Sequence, residues 1–60
     1  MNELLTPMKL LKAGDKFRFL TGNDWFEVWA VDGLTAVVVS NRSGFSYEID
    51  LENRPVWLIS

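Results

Sequence analysis

The chain has 60 residues, no histidine, no cysteine and a formal net charge of −2. A chain of this length makes one domain that buries only roughly 60% of its unfolded surface, with a core rarely worth more than about 3–5 kcal/mol. Without cysteine or histidine there is no disulfide framework, no thiolate or imidazole metal site, no thiol nucleophile and no histidine base.

The first fourteen residues read as an entry segment to a domain spanning the whole chain. Thr6-Pro7 offers an N-cap followed by proline at a first helical position, and Gly14 is placed to terminate such a helix. A short helical turn over Pro7 to Lys12 competes with a lead-in strand. In either case Leu10 and Leu11 are expected to pack onto one end of the fold.

From residue 15 to 59 the chain reads as antiparallel strands joined by tight turns. Thr21-Gly22-Asn23-Asp24 is a four-residue loop that sets Leu20 opposite Trp25, Phe19 opposite Phe26 and Phe17 opposite Val28. Arg18 then faces Glu27 as a salt pair, and Lys16 faces Trp29 as a cation-π neighbour. Asp32-Gly33 suits the two central positions of a type I′ turn, which pairs Trp29 with Ala36, Val28 with Val37 and Phe26 with Val39. Arg42-Ser43-Gly44 suits a three-residue loop that pairs Val39 with Tyr47 and Val37 with Ile49.

All three hairpins place one apolar set on one face: Phe17, Phe19, Phe26, Val28, Val37, Val39, Tyr47 and Ile49. Leu51 and part of the last strand join this expected core. Asp50 to Arg54 reads as a single helical turn that Pro55 stops, and Val56 to Ile59 as a last strand. Alternation does not decide whether Trp57 or Val56 with Leu58 faces inward, because all are apolar.

This order of elements, entered through Leu11-Lys12-Ala13-Gly14-Asp15-Lys16-Phe17, resembles the SH3-like small β-barrels from about Leu10 to Ile59. The resemblance implies an all-β, single small barrel of about five antiparallel strands, with a short helical turn before the last strand. No polyproline-gripping motif of SH3 domains is matched, so no binding residues are carried over. Compact barrels of this kind are familiar among bacteriophage and mobile-element proteins.

No active-site constellation emerges, and the expectation is a non-enzymatic protein without cofactor or metal. The four glycines each sit at a separate turn, so they form no phosphate cradle. An uninterrupted apolar run such as Ala36 to Val39 is far too short to cross a bilayer, and a cytoplasmic protein without membrane contact is expected. Charge is uneven. Residues 1–20 carry four cations against two acids, and residues 21–60 carry two against six.

The face opposite the expected core is not polar. It carries Leu20, Trp25, Trp29, Ala36 and Val38 beside Lys16, Arg18 and Glu27, and is the candidate partner surface. The expected function is a small binding module acting on a protein partner, as adaptor or inhibitor, or through self-association as a homodimer. The competing reading is nucleic-acid binding through Lys16, Arg18 and exposed tryptophans. Its weakness is the excess of acid over base.

Overall fold

A computed structural model describes residues 3–59; the outermost residues of the expected domain, 1, 2 and 60, lie outside them. Six strands form one antiparallel sheet: β1 (Glu3–Pro7), β2 (Lys16–Arg18), β3 (Trp25–Asp32), β4 (Thr35–Ser40), β5 (Ser46–Asp50) and β6 (Pro55–Ile59). Their order is β1-β6-β2-β3-β4-β5. The sheet does not close into the expected barrel. Among the described residues β1 and β5 are its two edges, and all close strand packing is between ladder neighbours. The radius of gyration, 10.3 Å, nevertheless matches the ~10.4 Å of a compact domain of this length.

The sixth strand comes from the entry segment, where both competing readings hold in succession. Residues 3–7 pair with β6, and Met8–Leu10 then form one 3₁₀ turn that Pro7 precedes in extended conformation. The Thr6 hydroxyl caps nothing and donates to the Leu4 carbonyl at 3.0 Å. Met8 is buried at this turn, its N–H donating to the Arg54 carbonyl at 2.8 Å, and Leu11 is buried with it. Leu10 instead points to solvent.

Hairpin counting fails at β4 for a definable reason. The type I′ turn would need positive φ at Asp32, yet no non-glycine residue has one. Gly33, at φ +63°, starts the turn, and Asp32 pairs with Thr35 as a type II′ hairpin allows. A β-bulge between Val28 and Ala30 then adds Trp29 as an extra residue, so that Val28 lies opposite Val38 and Phe26 opposite Ser40. That one-residue slip turns β4 over. Ala36, Val38 and Ser40 are buried, whereas Val37 and Val39 leave the expected core for the outer face.

The next loop cancels the slip. It holds four residues and not three, with Gly44 at φ +75°, and Val38 pairs with Tyr47 and Ala36 with Ile49. Tyr47 and Ile49 therefore rejoin the face of Phe26 and Val28. The buried Ser40 hydroxyl accepts the N–H groups of Arg42 and Ser43 at 3.2 and 3.3 Å, satisfying it where the loop begins.

The expected helical turn before the last strand is absent. The β4–β5 ladder continues to Leu51, whose N–H donates to the Leu34 carbonyl at 2.6 Å, leaving only residues 52–54 to reverse the chain. Val56 is fully buried and Leu58 packs on the core, while Trp57 faces outward. The buried cluster is Met8, Leu11, Phe17, Val28, Ala36, Val38, Leu51 and Val56, with Phe19, Phe26, Ile49 and Leu58 packed against it.

Candidate functional sites on the two faces of the sheet

On the outer face the ladders place Leu5, Trp57, Arg18 and Trp25 in one row across four adjacent strands. The next row runs Glu3, Ile59, Lys16, Glu27, Val39 and Ser46. Lys16 Nζ lies 5.4 Å from the Trp25 ring centroid, not over Trp29. The loop between β2 and β3 is two residues longer than counted, which sets Lys16 opposite Glu27 and Arg18 opposite Trp25 while keeping every side chain on its face.

Arg18 pairs with Glu3, not with Glu27. Its Nε and Nη2 donate to the two carboxylate oxygens at 2.6 and 2.9 Å, its Nη1 donates to the Gly22 carbonyl at 3.2 Å, and its guanidinium carbon lies 5.7 Å from the Trp57 centroid. This bidentate fork ties edge strand β1 across β6 to β2. Hydrogen bonding by Arg18 holds the Glu3 carboxyl below its ordinary range, and the same bond raises the Arg18 pKa.

The sequence-chosen partner residues divide three ways. Ala36 and Val38 are buried core and leave the candidate surface. Lys16, Arg18, Trp25 and Glu27 do come together on the outer face. Leu20 lies in the loop between β2 and β3, and Trp29 sits on the bulge; both are exposed, Trp29 at 63%. Val31 and Leu34 are exposed further along the same hairpin.

No family model, curated protein or solved structure matches this chain.

A second candidate site lies on the inner face. Phe17 and Phe26 stack with centroids 5.7 Å apart, Phe19 meets both edge-on at 5.5 Å, and Phe26 meets Tyr47 edge-on at 6.5 Å. These rings run from a completely buried Phe17 to a Tyr47 that is 46% exposed. They open into a groove of about 480 Å³ floored by Phe19, Phe26, Val38 and Ile49 and bounded by Tyr47. Asp24, Arg42 and Glu48 line its rim, the first two 3.7 Å apart.

Phe17, Phe19, Phe26, Tyr47 and Ile49 were legible as inner-face, whereas Val38 was expected on the opposite face. The groove's opening was not legible, because it depends on the sheet remaining open beside β5. Among the described residues no three acidic side chains converge as a metal site, and no helix is long and apolar enough to cross a membrane.

Proposed function

We propose that this chain is a non-enzymatic binding module that recognises a protein through apolar and aromatic surface. The observation that carries the reading is one open sheet with apolar side chains on both faces. Trp25, Trp57, Val37, Val39 and Ile59 lie on the outer face, and the Phe26–Tyr47 groove opens the inner one. One-sided antiparallel sheets solvate their outer face with polar residues, and apolar surface left over commonly marks a contact. Trp29, on the bulge of β3, and Leu20, in the loop between β2 and β3, add further exposed apolar surface.

Photocrosslinking in the native host from position 29 is expected to give a discrete protein adduct. Nucleic-acid adducts alone would overturn the reading, as would a monomer that forms none. Light scattering at several concentrations separates an adaptor from a homodimer, since self-association raises the apparent mass with concentration.

Nucleic-acid binding is the second reading, favoured by the alternation of cation and indole along Trp57, Arg18, Trp25 and Lys16. It is the weaker one because Arg18 already holds Glu3, Gly22 and Trp57, and the whole chain is acidic. Electrophoretic shifts with single- and double-stranded DNA and RNA at low salt test it. Retardation that disappears in Lys16→Ala would establish it.

A further inference from the structure

We propose that the free edge of β5 takes up an extended segment of a partner protein in which basic and apolar residues alternate. This rests on the protein-binding reading and names the partner's chemistry.

Ladder parity is the first observation. At the two ends of β5, the Ser40 N–H donates to the Phe45 carbonyl at 3.0 Å and the Leu51 N–H to the Leu34 carbonyl at 2.6 Å. Hydrogen-bonded pairs recur at every second residue of an antiparallel ladder. Tyr47 and Ile49 therefore turn their backbone groups toward β4. Ser46, Glu48 and Asp50 turn theirs outward, to an edge that no strand among the described residues occupies.

The second observation is that this edge borders the aromatic groove, because Tyr47 and Ile49 belong to both. The third is charge. Glu48 and Asp50 flank the outward donors, and Glu52 follows them.

Together these dictate the occupant. Residues of an added antiparallel strand that lie opposite Ser46, Glu48 and Asp50 share their outer face, where lysine or arginine meets the carboxylates. The intervening residues, opposite Tyr47 and Ile49, turn to the inner face and enter the groove beside Phe26, which takes apolar side chains. A second copy of β5 is a poor occupant. Two-fold antiparallel pairing about Glu48 sets Glu48 against Glu48, and like charges directly opposite are destabilising.

The test is a titration of isotope-labelled protein with a capped peptide of about seven residues, alternating lysine and valine, followed by backbone amide NMR. An isomer with lysines and valines in separate blocks and an alternating glutamate–valine peptide are the controls. The alternating basic peptide alone is expected to move the amides of Ser46, Glu48 and Asp50, with affinity falling as salt rises from about 0.05 to about 0.5 M. Glu48→Pro removes an outward donor while leaving the β4 ladder intact, and is expected to weaken binding about tenfold. Glu48→Lys, at an exposed position that leaves the backbone unchanged, is expected to weaken it at least as much.

Equal binding of either control peptide would overturn the proposal, as would unchanged affinity in both Glu48 variants. Shifts confined to Trp25, Trp29 and Trp57 would overturn the edge site and leave the protein-binding reading standing. No shift up to millimolar peptide would also overturn the edge site, with the photocrosslink from position 29 still deciding the broader reading. Sedimentation showing a dimer that protects β5 would replace the partner strand with a second copy.

Discussion

Two ends of the same inner face behave oppositely. Around Phe17 the sheet, the 3₁₀ turn and the β6 side chains close completely, burying Met8, Leu11, Val28 and Val56. Around Tyr47 the ring cluster continues into a half-exposed ring, and among the described residues β5 pairs with β4 alone and leaves its other edge free. A chain this short has too little apolar surface to close everywhere. Concentrating burial at one end leaves the other as a preformed apolar groove with a backbone edge beside it.

The contrast is lost most completely through Phe17. Phe17→Ala should cost about 3–5 kcal/mol, comparable to the whole stability of such a domain, and leave the chain unfolded by circular dichroism at 25 °C. Retention of a cooperative thermal transition near that of the parent would contradict a core centred there.

Next in size is the contrast across β4. Val38→Ala should destabilise by about 2 kcal/mol in urea titration, and Val39→Ala by less than about 1 kcal/mol. The reverse order would restore the face obtained from turn counting.

Tyr47→Ala probes the open end. At a half-exposed position its stability cost should stay below about 1 kcal/mol, while affinity for the alternating basic peptide falls about tenfold by calorimetry. A large stability loss with unchanged affinity would make Tyr47 core and not groove wall.

The smallest effect belongs to the Arg18–Glu3 fork. Because folding lowers the Glu3 pKa from its ordinary 4.5, the stabilisation is present above that value and is lost as pH falls through the folded-state pKa. The thermal midpoint should therefore drop on acidification through this range, and Glu3→Gln should flatten that part of the profile. An unaltered acid profile in Glu3→Gln would mean that the ion pair contributes nothing measurable.

How much of this was readable depended on whether a strand's own residues encode its face. In β2 and β3, Phe17, Phe26 and Val28 alternate with Lys16, Arg18 and Glu27, so a β2–β3 loop two residues longer than expected left every face correct. In β4 the run Ala36 to Val39 is apolar throughout, and its orientation hung on the turns at either end. The bulge at Trp29 carries no local signature and inverted the strand, and the longer loop before Phe45 righted β5. An apolar outer face was therefore anticipated with the wrong valines.

The groove could not be read in the same way. Its aromatic lining follows from alternation, Val38 joins it only through the bulge, and its opening follows from which strands fail to meet, a property of the whole sheet. The pairing of the lead-in strand with β6 was hidden for a similar reason. Leu4 and Leu5 show no alternation, and their place beside β6 is a long-range pairing between the ends of the chain.

Residue-resolved amide exchange across β5 tests most directly whether this edge is poised to receive a strand. In the free protein, Tyr47 and Ile49 amides should be protected while Ser46, Glu48 and Asp50 amides exchange fast, and the alternating basic peptide should slow those three selectively. Uniform exchange along β5, or protection of Ser46, Glu48 and Asp50 before any peptide is added, would contradict a free, correctly registered edge.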